Sequence, residues 1–387
     1  MNWRTKLMHP GRTAPDGFES LAVPTYRGST VVFPSQEGVR DGWQVHETSY
    51  SYGSYGTPTT AELSVRLAEL EGAQHTFLTP NGQSAIALIH LAFASAGDHV
   101  LLPRNAYGTN QDIASGMLAR FGIEVEPYDP LIGAGIAGLI RPTTVLIWCE
   151  SPGSITMEIQ DVPGIVAAAH ERGVLVALDN TYSAGVLFDA FAHGVDVSMQ
   201  ALTKYVGGHS DLLLGSVSVN SEIAYAKVGE AHRLLGMAVS PDECALALRG
   251  LQTLGVRLEK MEASALRLAL WLAEQPMVER VLHPALPSCG GHEFWTRDFH
   301  GSASLFSIVF QEGTTQEQAN AFVDALRLFK IGWSWGGTTS MVMAYPRLKR
   351  ANGKLVRLHI GLEDAGDLLA DIKGALQLTF STDVIRA

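Results

Sequence analysis

Val174-Leu-Val-Ala-Leu-Asp179-Asn180 decides the reading of this chain, because an unbroken apolar run ends in an acid. A strand that is apolar on both faces belongs inside a parallel sheet with helices on each side. The acid at its end then stands at the carboxyl edge of the sheet, where α/β proteins place their ligands. A second stretch, Ala201-Leu-Thr-Lys204-Tyr-Val-Gly-Gly-His209-Ser-Asp211, follows another apolar run over 195–201. By itself Lys204 reads as a surface-loop lysine. Directly behind a buried run, however, a lysine is rarely left without a partner.

Outward from this pair, strands and helices alternate. Leu63, Leu67 and Leu70 repeat at helical spacing and stop at Gly72. The pattern predicts helices over 84–96, 111–121 and 161–172, the last capped by Asp161. It predicts strands over 99–102, 145–149 and 174–178, with further apolar runs at 195–201 and 212–219. Such alternation implies a mostly parallel sheet between helices. Residues 241–274 read as one long helix able to bridge two domains. Beyond it, strands over 303–310, 339–344 and 355–360 and helices over 316–329 and 365–378 form a smaller α+β unit. Residues 1–57 are rich in Gly, Pro, Ser and Tyr and lack periodicity, which suits an arm held by another subunit. The expected division is an arm over 1–57, a large domain over 58–240, a bridging helix over 241–274 and a C-terminal domain over 275–387.

Composition removes several classes of function. With 387 residues, 46% hydrophobic and 17% charged, the chain is long and apolar enough to bury cores without a disulfide or metal staple. The formal net charge is −11, and the one basic run is Arg347-Leu-Lys-Arg350, expected to be a solvated loop; nucleic acid is not an expected partner. Cys149, Cys244 and Cys289 are an odd, scattered set with no secreted disulfide framework. No signal core opens the chain and no apolar run approaches the ~18 residues of a membrane span, so a soluble, cytoplasmic protein is expected.

Two motifs are set aside. Gly133-Ala-Gly-Ile-Ala-Gly138 spells a dinucleotide fingerprint, but Pro127, Pro130 and Pro142 crowd it, and a Gly-rich turn is expected. Cys289-Gly-Gly-His292, near His283 and His300, lacks a second ligand pair at zinc spacing, so no metal is expected.

An acid at one strand end and a lysine 25 residues later, behind another strand, is the pair that pyridoxal phosphate requires. The carboxylate keeps the pyridine nitrogen protonated and the lysine forms the Schiff base. Thr79-Pro-Asn-Gly82-Gln83-Ser84 adds a helix start whose N–H groups and dipole suit a phosphate.

Carried by these and further motifs, the chain resembles the Cys/Met-metabolism enzymes that depend on pyridoxal phosphate. The resemblance spans about residues 20–375. Its motifs are Tyr52-Gly-Ser-Tyr-Gly-Thr-Pro-Thr59, Asn105-Ala-Tyr107-Gly-Thr, Glu150-Ser-Pro-Gly-Ser-Ile-Thr156, Asp179-Asn-Thr-Tyr182, Gln200-Ala-Leu-Thr-Lys204-Tyr, Ser334-Trp-Gly-Gly337 and Arg357-Leu-His-Ile-Gly-Leu-Glu-Asp364. Glu-Ser-Pro-Gly-Ser and Ser-Trp-Gly-Gly resemble the bacterial cystathionine β-lyase branch rather than the γ-lyase or γ-synthase branches.

The resemblance implies a fold-type I architecture with a seven-stranded, mostly parallel sheet and a smaller C-terminal α+β domain. It implies that Lys204 carries the cofactor and shuttles protons, that Asp179 pairs with the ring nitrogen and that Tyr107 stacks on the ring. Gly82, Gln83 and the Thr203 hydroxyl would hold the phosphate, and Arg357, Ser334 and Trp335 the substrate carboxylate. Tyr52 and Ser54 would reach the site of a neighbouring subunit in a homotetramer built as a dimer of dimers. Where family members commonly carry an arginine, this chain has Ser54, which supplies a hydrogen bond and no charge. Ala201 likewise replaces a common serine.

The implied reaction is β-elimination from an L-cystathionine-like thioether, giving homocysteine, pyruvate and ammonia, a step of methionine biosynthesis. Lys204 would take the α-proton, its basicity tuned by the cofactor and by Tyr52 or Tyr107. γ-Elimination or γ-synthesis on the same apparatus, and amino-acid racemisation with Tyr52 as a second base, remain open alternatives.

Overall fold

The computed structural model describes residues 2–8, 20–44, 49–345 and 354–380; the basic run Arg347–Arg350 lies outside them. Seven strands form the larger sheet: β1 (His75–Thr79), β2 (His99–Pro103), β3 (Glu124–Tyr128), β4 (Thr144–Glu150), β5 (Leu175–Asp179), β6 (Val197–Gln200) and β7 (Gly215–Val219). Their order is β1-β7-β6-β5-β4-β2-β3. The pairs β3/β2, β2/β4, β4/β5 and β5/β6 are parallel, and only β7 runs against its neighbours. This is the architecture expected of a fold-type I enzyme.

Both faces of this sheet are buried, as the apolar runs require. Leu146, Trp148 and Ala177 join one core with Ile86 and Ile89 of the helix Gly82–Phe93. Ile147, Cys149, Val176 and Leu178 join another with Ile165 and Val166 of the helix Val162–His170. Strand alternation therefore puts Asp179 and Glu150 on the same face as Ala177 and Trp148, toward the helix that starts at Gly82. That helix is capped by Asn81, whose side chain accepts from the Ser84 N–H, and the second by Asp161, which accepts from the Gly164 N–H.

The helix Pro241–Ala273 links the two sheets in sequence and contributes to two cores: Cys244 to Met261 pack with the large-sheet elements, and Ala265 to Leu272 with the second sheet. The second sheet has the order β10-β11-β12-β9-β8, with β8 Val278–Leu282, β9 Leu305–Phe310, β10 Lys330–Ile331, β11 Met341–Ala344 and β12 Leu355–His359. Val356 and Leu358 face its own core, so the alternate residues Arg357 and His359 face the larger sheet.

Some elements differ from the sequence pattern. The helix expected over 111–121 is a short α-segment, Gly108–Asp112, followed by a wider π-helical stretch, Ile113–Leu118. The Ser115 hydroxyl donates to the Gln111 carbonyl one turn back, which competes with the α-helical ladder. The Gly133–Gly138 fingerprint is a six-residue 3₁₀ helix between β3 and β4. A strand does precede it, and Pro127 is accommodated because β3 is an edge strand. β1, β3, β8 and the helix Glu222–Leu234 were not expected from periodicity. Each strand is short, and the helix is close to evenly polar and apolar.

Candidate active site

A cavity of about 800 Å³ opens at the carboxyl edge of the large sheet and is closed from the other side by β12 and the Trp333–Gly337 loop. Gly82, Gln83, Tyr107, Asp179, Thr203, Lys204, Trp335 and Arg357 line it together. Ser334 reaches it through Lys204, whose Nζ donates to Ser334 Oγ at 2.9 Å.

Lys204 lies in the turn after β6, tied by Lys204 N–H to Ala201 O at 3.0 Å and by Gly208 N–H to Lys204 O at 2.8 Å. Arg257, on the long helix, clamps the same turn by donating to Tyr205 O at 2.7 Å, and is itself held by donating to Gly250 O of its own helix at 2.8 Å. Burial lowers the Lys204 amine to about 8, Arg357 pushes the same way, and Asp179 opposes them. The Trp335 ring lies 5.6 Å from its Nζ. Gly336 passes so close that a side chain there would meet the Lys204 backbone at 2.9 Å, and its φ is +85°.

Asp179 ends β5 and accepts from the Thr181 N–H at 3.0 Å and from the Thr181 hydroxyl. Burial raises its carboxyl above the ordinary range, against the pull of Thr181 and Lys204. Arg357 is buried and donates to two carbonyls, Ser154 O at 3.0 Å and Trp333 O at 3.3 Å, with the Tyr345 ring 5.2 Å from its guanidinium carbon. Burial pulls its pKa below the usual arginine value.

At the start of the helix Gly82–Phe93, Asn81 satisfies only Ser84, and no described residue accepts from the Gly82 or Gln83 N–H. A Cβ at Gly82 would meet Ala201 Cβ at 2.7 Å, so the close approach of the turn after β6 requires glycine there. The Thr203 hydroxyl is engaged in both directions by Leu214, donating at 3.1 Å and accepting at 3.2 Å. Among the described lining residues, the cations are Lys204 and Arg357 alone.

Tyr52 and Ser54 do not line this cavity. Tyr52 is 49% exposed and makes an isolated bridge with Thr30, while Ser54 lines a separate cleft with Trp43, His75, Tyr225 and His232. The discarded metal candidate stays apart: Cys289 Sγ donates to Met157 O, and His292 Nδ1 lies 2.8 Å from Pro284 O.

Three residues without a sequence-derived role belong to the site's support. Glu150 ends β4 beside Asp179 and accepts from the Tyr107 N–H at 2.7 Å. Its signal was present, since 145–150 is also an apolar run ending in an acid. Glu71 is buried against Gln200 at the end of β6, and burial raises its carboxyl. His359 Nδ1 lies 2.7 Å from Ser304 Oγ and accepts from the Gly336 N–H at 3.3 Å, so Nε2 carries the proton donated to Gly337 O at 2.9 Å. Ser304 also meets Tyr205 Oη at 2.8 Å, which ties the Lys204 turn to the Ser334–Gly337 loop. Burial lowers His359 to about 4 and keeps it neutral. Nothing local in the sequence announces that relay.

The arrangement fits pyridoxal phosphate on its own chemistry: unsatisfied helix N–H groups for a phosphate, a buried acid for a ring nitrogen, a basic amine for an aldehyde and an exposed tyrosine ring in the wall. The comparisons agree. Residues 4–377 match the family described as Cys/Met metabolism PLP-dependent enzyme. The chain is 43% identical over 378 residues to a putative cystathionine beta-lyase of Rhizobium johnstonii, covering 95% of this chain and 94% of that protein. It is 42% identical over 381 residues to cystathionine beta-lyase MetC of Escherichia coli, covering 95% and 96%. The crystal structure of metB from Corynebacterium glutamicum matches with a TM-score of 0.90 at 27% identity, covering 98% of this chain and 99% of that one.

Proposed function

The chain belongs to the Cys/Met metabolism family of PLP-dependent enzymes, and on that premise we propose that it is a carbon–sulfur β-lyase acting on L-cystathionine or related cysteine S-conjugates. One observation carries the reading: a lysine amine lowered to about 8 shares a cavity with a buried carboxyl and a buried guanidinium that has only carbonyl partners.

When bound, pyridoxal phosphate supplies the electron sink that makes the substrate α-proton removable. Gly82 and Gln83 would donate their free N–H groups to its phosphate, with the Thr203 hydroxyl beside them once freed from Leu214. Asp179 would hold a proton at the ring nitrogen, and Tyr107 would pack on the ring. Arg357 turns its guanidinium from the carbonyls of Ser154 and Trp333 to the substrate α-carboxylate, with Ser334 and Trp335 beside it. Lys204 would hold the cofactor through its Nζ, and the same Nζ, free to act as a base, would take the substrate α-proton and deliver a proton to the departing sulfur. The balance for cystathionine is one water consumed and homocysteine, pyruvate and ammonia released.

Tyr52 is exposed and Ser54 lines a separate cleft, both away from this chain's own cavity, which supports their service to a neighbouring subunit in a homotetramer of two dimers. Cytoplasmic residence belongs to the same proposal; no helix of the described residues is long and apolar enough to cross a membrane.

The test is product identity. Cystathionine is expected to yield pyruvate. Release of 2-oxobutyrate instead would assign γ-elimination, and solvent deuterium entering alanine Cα without pyruvate formation from cystathionine would assign racemisation.

A further inference from the structure

Glu150 and Asp179 are the last residues of adjacent parallel strands and are register partners. They lie on the same sheet face, so their carboxyls start about 4.8 Å apart at the backbone. Glu150 is 5% exposed and Asp179 9%. Two buried carboxylates so placed do not both ionise. Their surroundings decide which one keeps the proton. Asp179 is faced by the Lys204 amine and accepts from the Thr181 N–H and hydroxyl. Glu150 is faced by Asp179 and by the Tyr128 phenol from β3, and accepts from the backbone N–H groups of Tyr107 and Ser154; no cation opposes it among the described groups. Burial and Asp179 both push the Glu150 carboxyl well above the ordinary range.

Glu150 also holds something. Its Oε2 accepts from the Tyr107 N–H at 2.7 Å, and Tyr107 starts the short helix Gly108–Asp112 without any side-chain cap of its own. The strand end beneath it is fixed by Gln160, which accepts from the Glu150 N–H at 2.8 Å and donates to Tyr128 Oη at 2.9 Å.

We propose that Glu150 is a positioning residue that works as a neutral carboxylic acid, fixing the Tyr107 backbone, and so the Tyr107 ring in the cavity wall, while leaving the negative charge of the sheet edge to Asp179. A charged Glu150 would raise Asp179, so that Asp179 would tend to take a proton itself and lose the negative charge meant for the ring nitrogen. A missing Glu150 would free Tyr107.

The experiment compares wild type, Glu150→Gln and Glu150→Ala as holoenzymes at pH 7. Three readouts are taken: pyruvate release, affinity for pyridoxal phosphate, and the infrared carbonyl stretch of protonated carboxylic acids, as wild type minus Gln variant. Gln keeps the acceptor without a charge, so it retains kcat/KM and cofactor affinity within about threefold, whereas Ala loses roughly 100-fold in kcat/KM through a misplaced ring. The difference spectrum shows one protonated carboxyl in the wild type. A Gln variant as damaged as Ala overturns the proposal, because Glu150 then acts as an anion. An Ala variant equal to wild type also overturns it, as does a difference spectrum without the carbonyl band. Should Ala not fold, the Gln variant and the infrared band decide. Only the kinetic arm rests on the lyase reading; absence of pyruvate from wild type with the infrared band present would sink that reading and spare this one.

Discussion

The large sheet brings two acids and the Lys204 amine to the cavity, and the small sheet brings the guanidinium of Arg357. Asp179 stands at a strand end, accepting from the Thr181 N–H and hydroxyl and facing the Lys204 amine. Arg357 stands inside β12 with only acceptors, two main-chain carbonyls. Burial raises the first and lowers the second, because it disfavours the charged form of each. Among the described residues neither forms an ion pair. On the proposed reading, a cofactor with a cationic ring nitrogen would answer Asp179, and an α-amino acid carboxylate would answer Arg357. On that reading, the contrast teaches that each sheet contributes one buried charge held without a salt bridge, and that one ligand assembly would complete both.

That contrast is most directly broken at Lys204, which sits between the two. On the proposed reading Lys204→Met would remove both the covalent anchor and the base, and pyruvate release is expected to fall by at least about 10⁴-fold. A residual rate within tenfold of wild type would place the base elsewhere. Arg357→Ala tests the small-sheet half alone. KM is expected to rise on the order of 100-fold, with the spectrum of the bound cofactor unchanged. A bleached protein would instead make Arg357 part of the cofactor's seat.

The smallest effect concerns stability. The Lys204 amine is lowered from 10.5 to about 8 in the folded chain. Between those values the unfolded chain binds the extra proton, so stability rises with pH there, and the penalty is fully present below about 8. Cofactor-free Lys204→Met is therefore expected to melt a few degrees higher than wild type at pH 7, the gain shrinking toward pH 10.5. Calorimetry across that range checks it. A gain that grows with pH would reverse the sign of the burial effect.

The residues that make the site differ in how far they could be read in advance. Asp179 and Lys204 were legible because an apolar run ending in a polar residue fixes both a buried strand and its edge. The helix start at Gly82 was legible two residues out of register, since Asn81 caps the Ser84 N–H and thereby begins the helix earlier than its apolar face does. Arg357, Ser334 and Trp335 came from motif resemblance; nothing local marks Ser334, whose bond to Lys204 spans 130 residues. Thr203 carried a hydroxyl in the right place, but its commitment to Leu214 depends on β7 returning antiparallel beside β6. Glu150 bore the same strand-end signal as Asp179 and gained meaning only once the register set the two side by side.

By itself, then, the chain's order of residues determined its apolar runs, most of its helix caps, the strand-end acids and the lysine behind β6. These depend on interactions within a turn of helix or on the two-residue alternation of a strand. The tertiary structure alone decided which of two acids keeps a proton, how far Lys204 is lowered, and that His359 and Ser304 join the lysine turn to the Ser334 loop. Those properties come from desolvation and from charges and hydroxyls contributed by strands far apart in the chain, and burial has no value until distant segments close over the group.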